Sequence, residues 1–316
     1  MDQRELGRSG ISIAPLVFGG NVFGWTADET RSFELLDRFA ERGFNAIDTA
    51  DVYSAWGPGL SGGESETVLG NWLARRGRRD DIVVMTKVGM WEARKGLSAK
   101  NIQAAVEDSL KRLRTDYLDV YFAHIDDQDV PLEESLNAFS KLIQAGKVRA
   151  IGASNYSAPR LQHALAISKE QGLPRYELMQ PLYNLYDRAD FEDELADVAT
   201  EHELGVVSYF SLASGFLSGK YQTIEDIEGS ARAGLLGKYF DGRGQRLLKE
   251  LLSVSNELAA KPAQVALSWL LTRKALTAPI ASATSLEQLD EVLQAVELVL
   301  PESALDRLEA ASRQSG

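Results

Sequence analysis

The chain has 316 residues, of which 44% are hydrophobic, and its 34 basic and 46 acidic residues give a net charge of −12. This length allows one large domain or two ordinary ones, and the acidic balance argues against a nucleic-acid surface. The absence of cysteine excludes disulfides and thiolate metal sites, and three scattered histidines do not indicate a metal site. With no apolar signal core and no run long enough to span a bilayer, we expect a cytoplasmic protein.

The chain begins with a predicted hairpin and continues with a regular series of strands. Residues 4–15 alternate around Gly7 and Gly10, which indicates a hairpin lid ahead of the main fold. Short apolar or β-branched runs then recur about every 30 to 40 residues, the length of a strand–helix unit. The eight predicted strands are Leu16–Gly19, Ala46–Asp48, Ile82–Lys87, Leu118–His124, Ala150–Ser154, Leu178–Pro181, Val206–Phe210 and Thr277–Ile280.

Helical spacing separates these strands. The predicted helices lie around residues 33–40, 102–113, 132–143, 158–170, 191–203, 263–273 and 286–297. Eight strand–helix units at this chain length predict a (β/α)₈ TIM barrel, one domain spanning 1–316; a doubly wound sheet is the alternative but usually needs fewer strands. A long insertion at 211–262, rich in glycine and charge, follows the seventh strand, and excursions of this kind are usually functional lids or disordered.

Polar side chains close several of the predicted strands. Asp48, Lys87 and His124 end the second, third and fourth strands, and Tyr53 follows Asp48 on a loop. Because catalytic groups of such barrels lie at the carboxyl ends of strands, these four residues are expected in one cleft. Each alone also fits a structural role, as a turn cap, a solvated lysine or a hydrogen-bonded histidine. A glycine-rich stretch, Gly57–Gly62, matches the dinucleotide-binding pattern but has no strand directly before it, so we dismiss it.

The four residues suit one kind of proton transfer. A tyrosine with a pKa of about 10 is a poor donor near neutral pH, and a nearby ammonium such as Lys87 is expected to lower that pKa. Asp48 would hold Lys87 charged, and His124 could hydrogen-bond a substrate oxygen. This set suits protonating a carbonyl oxygen as hydride arrives at its carbon. Since side chains carry no hydride, a nicotinamide cofactor is implied.

Ordered motifs along the whole chain carry a family resemblance. They are LGRSGISIAPLVFGG, NAIDTADVY, GGESETVLG, VVMTK, YLDVYFAH, GKVRAIGASNYS, LMQPLYNLYDR, SYFSLASGFLSGKY and TAPIASATSLEQLDE. With these motifs the chain resembles an aldo-keto reductase, most closely the bacterial, potassium-channel-β-like branch. The resemblance implies an NAD(P)H-dependent enzyme that transfers hydride between nicotinamide C4 and the carbonyl carbon of an aldehyde, ketone or sugar.

The resemblance also assigns roles by position. Tyr53 would be the general acid/base, tuned by Lys87 and Asp48, with His124 orienting the carbonyl. The long insertion would fold over the cofactor. The implied cofactor contacts are Gly20, Asn21, Asp48, Ser154, Asn155, Gln180, Tyr209, Phe210, Leu212, Ser214, Gly215, Lys220, Ser282, Thr284 and Gln288. Among these, Ser154, Asn155 and Gln180 would bind the carboxamide and Tyr209 would stack on the ring. The Leu212–Leu217 loop and Lys220 would hold the pyrophosphate, and Ser282, Thr284 and Gln288 would surround the adenosine end.

The chain departs from the family pattern in three places. The family commonly has Tyr-Ser-Pro-Leu after the seventh strand, where this chain has Tyr-Phe-Ser-Leu, and Ile125 replaces a frequent arginine. NADP-preferring members usually carry a basic residue in the last motif, whereas no basic residue lies between Lys274 and Arg307 here. Losing a charge-assisted phosphate contact removes on the order of 1.5–3 kcal/mol of binding. We therefore predict use of both NADP(H) and NAD(H).

The substrate is less well defined. Trp25, Trp56 and Trp91 follow the first three strands and, with Tyr53 and His124, are the candidate substrate residues, although each tryptophan fits ordinary packing equally well. They favour ring-bearing carbonyl compounds or sugars as the small-molecule partner, with no nucleic-acid or membrane partner. Two alternatives remain: a nicotinamide-binding regulatory subunit with little turnover, and a Schiff-base lyase using Lys87. Monomer and homo-oligomer are both open.

Overall fold

Eight parallel strands form a closed barrel in the computed structural model, which describes residues 2–230 and 233–313. The strands are β3 (Val17–Gly19), β4 (Ala46–Asp48), β5 (Val83–Val88), β6 (Leu118–Ala123), β7 (Val148–Ser154), β8 (Tyr176–Gln180), β9 (Gly205–Ser208) and β10 (Ala278–Ala281). They pair in chain order, and β10 closes on β3. The predicted (β/α)₈ barrel is confirmed, and every predicted strand overlaps an observed one.

The parallel register brings the polar strand ends to one rim. Asp48 is aligned with Gly19 on one neighbour and with Met85 on the other, and Ser154 is aligned with Gln180. Since side chains alternate along a strand, Lys87 points into the barrel while its neighbours Thr86 and Val88 face the helices. The strand ends thus place the predicted catalytic groups at one end of the barrel.

Helices surround the strands, and several begin at a side-chain cap. Asp28, Ser98, Ser157 and Ser285 each accept a hydrogen bond from the backbone N–H three residues later, which satisfies a donor that a helix start leaves free. The helices are α1 (Glu29–Glu41), α2 (Glu64–Arg76), α3 (Ala99–Leu113), α4 (Leu132–Gln144), α5 (Ala158–Gln171), α6 (Ala196–Glu201), α7 (Ala233–Leu236), α8 (Gly242–Glu257), α9 (Pro262–Leu271), α10 (Leu286–Leu293) and α11 (Glu302–Ser312). A π-helical turn, Phe191–Leu195, leads into α6. No helix within 2–230 and 233–313 is long and apolar enough to cross a bilayer.

The N-terminal hairpin closes the end of the barrel opposite the polar rim. Its strands are β1 (Arg4–Glu5) and β2 (Ser12–Ile13), and its apolar side chains join the core inside the barrel. At Gly7, with φ +61°, a Cβ would lie 2.4 Å from the Glu177 carbonyl oxygen at the start of β8. Only glycine fits this close approach. The predicted lid is therefore a plug at the amino ends of the strands and does not cover the cleft.

The long insertion divides into two parts with different positions. Residues 211–241 contain short 3₁₀ turns, Ala213–Ser218, Glu225–Ile227 and Gly237–Phe240, together with α7. Helix α8 instead packs on the outside of the barrel, where Arg307 of α11 donates to Glu250 and Ser253. We therefore restrict the predicted cofactor cover to residues 211–241.

Candidate active site

Asp48, Tyr53 and Lys87 form one hydrogen-bonded unit at the rim. Lys87 Nζ lies 2.7 Å from Asp48 Oδ1 and 2.8 Å from Oδ2, and it donates to the Tyr53 hydroxyl at 2.8 Å. The Tyr53 hydroxyl in turn donates to Asp48 Oδ2 at 2.8 Å. Lys87 also donates to the Thr49 carbonyl oxygen at 2.7 Å, a partner that the sequence did not indicate. The predicted catalytic contact between these three side chains is present.

Burial limits what Lys87 can do. Its side chain is fully buried, and four oxygen atoms from three residues surround its ammonium group. Burial lowers the pKa of Lys87, although Asp48 opposes that shift. A Schiff-base lyase needs a neutral lysine that a carbonyl carbon can reach. The enclosed ammonium disfavours that alternative.

The pKa of Tyr53 moves in the direction opposite to our prediction. Burial and then the Asp48 charge raise it well above its usual value, so the prediction that Lys87 lowers it is wrong for this structure. The main reason is the burial of the phenol, and the hydrogen bond that its hydroxyl donates to Asp48 adds to the shift. Tyr53 is therefore a neutral phenol near neutral pH, a proton donor rather than a base.

His124 lies across the cleft from Tyr53. The two rings pack edge to face with their centroids 6.2 Å apart, so both line the same part of the cleft. Burial, and then the charge of Lys87, lowers the pKa of His124 well below its usual value, so the imidazole is neutral. Its Nδ1 atom has no hydrogen-bond partner among the described residues. A neutral imidazole can still donate one N–H to a carbonyl oxygen, as predicted for this residue.

The side chains predicted to bind the nicotinamide carboxamide surround Asp48 and His124. Gln180 Nε2 donates to Asp48 Oδ1 at 2.8 Å, and the amide of Asn155 donates to the His124 carbonyl oxygen at 2.8 Å. The Tyr209 hydroxyl donates to Asn155 Oδ1 at 2.9 Å. These links join the predicted cofactor residues to the catalytic unit, although Gln180 is already engaged with Asp48.

The loop after β9 has a backbone that ordinary residues seldom adopt. Phe210, Ala213 and Ser214 have φ values of 52°, 49° and 58°, and Gly215 has 103°. The Ser214 hydroxyl is buried without a partner in the described part of the chain, and Lys220 Nζ lies 3.7 Å from the position of a Cβ on Gly215. A positive-φ loop next to an ammonium group is typical of anion sites. The predicted pyrophosphate contacts thus share one loop, with Leu212 at its start.

The predicted adenosine end lies at the start of α10. Ser282 Oγ donates to Asn21 Oδ1 at 2.5 Å, and Gln288 Oε1 accepts from both the backbone N–H and the hydroxyl of Thr284 at 3.0 Å. Gly20, next to Asn21, leaves no room for a side chain, because a Cβ would lie 2.9 Å from the Asp48 carbonyl oxygen. These residues are polar and uncharged.

Two of the three candidate tryptophans lie beside Tyr53. Trp56 packs edge-on against Tyr53 and Trp25, with ring centroids 5.7 and 5.9 Å apart, and 47% of Trp56 is exposed. Trp91 instead donates its indole N–H to the Ser61 carbonyl oxygen and lies against Arg112. The structure therefore brings Trp25 and Trp56 to the cleft, whereas Trp91 has a packing role.

Comparisons with known proteins agree with this geometry. The Aldo/keto reductase family profile matches residues 15–313. This chain belongs to the aldo/keto reductase family. As an aldo/keto reductase it is 34% identical to an uncharacterized oxidoreductase, YrpG, of Bacillus subtilis, over 98% of this chain and 95% of that protein. It is 31% identical to a probable voltage-gated potassium channel subunit beta of Arabidopsis thaliana, over 98% and 96%, and 29% identical to Protein tas of Escherichia coli, over 98% and 97%.

Family membership establishes an oxidoreductase, and the predicted resemblance is confirmed. Sequence reasoning missed Asn184, which holds the start of the loop after β9, the predicted cofactor loop, in this aldo/keto reductase. Its side-chain amide donates to the Phe210 carbonyl oxygen and to Asp187 Oδ2, each at 3.0 Å. Asp187 also accepts from Lys238 and from the Tyr239 hydroxyl of the insertion. The motif LMQPLYNLYDR contains both residues, but their partners lie far along the chain.

Proposed function

We propose that this protein is an NAD(P)H-dependent reductase that converts an aldehyde, ketone or sugar carbonyl to the alcohol. The observation that carries the proposal is the Tyr53 hydroxyl, held 2.8 Å from both Asp48 and Lys87 at the mouth of the barrel. A bound nicotinamide cofactor supplies the hydride. The carbonyl carbon receives the hydride, and the carbonyl oxygen takes the Tyr53 proton.

The residues around the cleft support this assignment of roles. The neutral phenol of Tyr53 matches proton donation near neutral pH, and the Lys87 ammonium stabilises the phenolate that remains. The neutral imidazole of His124 orients the carbonyl oxygen from the other side of the cleft. The hydrogen bonds with Asp48 and Lys87 hold the Tyr53 hydroxyl in position, so little reorganisation is needed when the carbonyl enters.

The chain's own residues also fit a dinucleotide. The unpartnered Ser214 hydroxyl and Lys220 flank the positive-φ loop, where a pyrophosphate would be held. At the adenosine end, Ser282, Thr284 and Gln288 offer no charge for a 2′-phosphate. Arg38 reaches α10, but it is paired with Asp290 at 2.7 Å. We therefore propose that both NADPH and NADH are accepted.

The aromatic wall formed by Trp25 and Trp56 supports ring-bearing carbonyl substrates and sugars. Flat aromatic side chains bury sugar or aryl faces well, and they offer nothing to a carboxylate or phosphate group. A broad carbonyl screen with both cofactors, using aryl aldehydes, aldoses and keto acids, tests this class. Faster turnover of the keto acids than of the aryl and sugar substrates contradicts it.

Titration of the purified protein with NADPH and NADH, read by tryptophan fluorescence, is the first test of the function. Binding of both with affinities within about a hundredfold, or about 2.7 kcal/mol, is expected. Binding of neither contradicts the proposal. A preference for NADPH above that ratio contradicts dual use alone, and it indicates a basic group from elsewhere in the chain.

The similarity to channel beta subunits supports a second candidate, a nicotinamide-binding regulatory subunit. That candidate predicts tight cofactor binding with little turnover of any carbonyl compound. The complete set of Asp48, Tyr53, Lys87 and His124 favours the enzyme, since a purely binding role does not require a poised proton donor. Steady-state turnover with simple aldehydes distinguishes the two.

A further inference from the structure

A buried polar pocket lies on the outer side of the barrel wall, behind Lys87. The pocket, which we call the Asp51 pocket, is formed by Asp51, Glu66, Thr86, Arg112 and Tyr121. Both carboxylate oxygens of Asp51 and the hydroxyl of Tyr121 are buried without any hydrogen-bond partner among the described residues. Asp51 is only 1% exposed. Unpaired buried carboxyl groups are rare, and they occur preferentially at functional sites.

The guanidinium of Arg112 in this pocket is paired with Glu66 and not with Asp51. Arg112 Nε donates to Glu66 Oε2 at 2.6 Å, and the Thr86 hydroxyl donates to Glu66 Oε1 at 2.6 Å. A Cβ on Gly63 would lie 2.7 Å from Arg112 Cδ, so the start of α2 presses directly on this side chain. Glu66 is thus fully paired, and Asp51 beside it is not.

A backbone hydrogen bond links Asp51 to β5, the strand that carries Lys87. The Asp51 backbone N–H donates to the Lys87 carbonyl oxygen at 3.4 Å, and the alternation of β5 places Thr86 in the pocket and Lys87 in the cleft. The Lys87 ammonium has three acceptors, of which Asp48 alone is charged. Asp48 also accepts hydrogen bonds from Tyr53 and Gln180, so its negative charge is shared among three donors.

Burial and the charged groups around Asp51 determine the pH at which its carboxyl group ionises. Burial and then Glu66 raise the pKa of Asp51 to about 8, while Arg112, the backbone N–H of Val52 and Lys87 oppose the shift. Tyr121, the fourth group facing it, stays neutral because burial and the nearby Asp51 raise its pKa well above the usual value. Asp51 is therefore neutral in mildly acidic solution and negatively charged in alkaline solution.

We propose that Asp51 is a positioning residue that acts on Lys87 through the barrel wall, adding to the charges of Asp48 and Glu66 a further negative charge that keeps the ammonium charged in alkaline solution. A charged Lys87 stabilises the Tyr53 phenolate, which is the base that alcohol oxidation requires. Asp51 thus supports the oxidative direction of the reaction. The catalytic consequence rests on the function proposed above, whereas the effect on Lys87 does not.

Titration of Lys87 itself tests the proposal without turnover. In protein carrying [ε-¹³C]lysine, the Lys87 signal is assigned by its loss in Lys87→Arg. In the wild type this signal should show a first step near pH 8, where Asp51 ionises. In Asp51→Asn that step should vanish, and the main titration midpoint should move to lower pH. A wild-type signal without the step, or a midpoint that Asp51→Asn leaves in place, overturns the proposal.

Rates of alcohol oxidation at pH 6 and pH 9 give the second readout. Asparagine resembles the neutral carboxyl, so Asp51→Asn should match the wild type within about twofold at pH 6 and fall about fivefold below it at pH 9. Tyr121→Phe changes the same pocket but removes no group that ionises in this range, so it should keep the wild-type pH dependence. An equal loss at both pH values indicates a merely structural role and contradicts the proposal. If the wild type neither reduces carbonyl compounds nor oxidises alcohols, the proposed function fails, and the lysine titration still decides the role of Asp51.

Discussion

Asp48 and Asp51 stand three residues apart on opposite sides of the same barrel wall, and their surroundings are opposite. Asp48 accepts from Lys87, Tyr53 and Gln180, whereas neither oxygen of Asp51 has a partner among the described residues. Both are 1% exposed. Burial alone therefore does not determine what a carboxylate does. The donors that strand register brings to it decide whether it remains charged.

Removing the Tyr53 hydroxyl tests the inner side of the wall and should give the largest effect. Tyr53→Phe keeps the ring beside Trp56 but removes the proton donor, so kcat for carbonyl reduction should fall by about 10²–10⁴-fold. Cofactor affinity should change little. Tyr176→Phe, which removes the hydroxyl of a buried tyrosine that contacts Tyr156 on the outer side of the strands, is the matched control and should retain activity. A Tyr53→Phe protein with near-normal kcat would remove Tyr53 from the reaction.

On the outer side of the wall, Asp51→Asn tests the ionisation of Asp51 through the pH dependence of the free energy of unfolding. The folded protein holds the Asp51 proton up to about pH 8, whereas the unfolded chain releases it near 3.8. The unfolded state thus binds fewer protons between these values, and wild-type stability falls as pH rises. The variant lacks this loss, so from pH 6 to pH 8 it should gain about 2 kcal/mol relative to the wild type. Urea unfolding at both pH values measures the difference, and parallel behaviour of the two proteins would contradict the assigned ionisation.

The raised pKa of Tyr53 predicts different pH profiles for the two reaction directions. A phenol that keeps its proton through pH 9 can donate at every lower pH, so kcat for reduction should have no steep falling limb between pH 6 and pH 9. Alcohol oxidation needs the phenolate, so its rate should rise with pH by up to about tenfold per unit. Measurement of both profiles under saturating conditions decides this. A reductive rate that collapses near neutral pH would mean that the phenol is acidic.

Much of the candidate active site on the inner side of the barrel wall could be predicted from the sequence. The Asp51 pocket on the outer side could not. Asp48, Lys87 and His124 end apolar runs, and parallel strands bring such ends to one rim, so local pattern and topology determined their meeting. The Asp51 pocket depends on α2, which carries Glu66 and was not predicted. Its defining feature is the lack of a partner, and no spacing along the chain indicates that. The prediction that the pKa of Tyr53 is lowered was wrong for a related reason. That pKa depends on burial and on the hydrogen bond with Asp48 as well as on the nearness of Lys87.

Asn184 extends the comparison to the cofactor loop, where the smallest effect is expected. Asn184→Ala removes the bond to the Phe210 carbonyl oxygen and frees a backbone with positive φ values, so the loop must be ordered again when the cofactor binds. Because one hydrogen bond contributes about 1 kcal/mol, the cofactor Kd should rise about fivefold while kcat changes less. Asn137→Ala, which removes an exposed side-chain bond on α4, is the control and should leave the Kd unchanged. An equal fall in kcat at saturating cofactor would mean that the loop also positions the catalytic unit, and the separation between chemistry on the strands and binding on the loops would then be wrong.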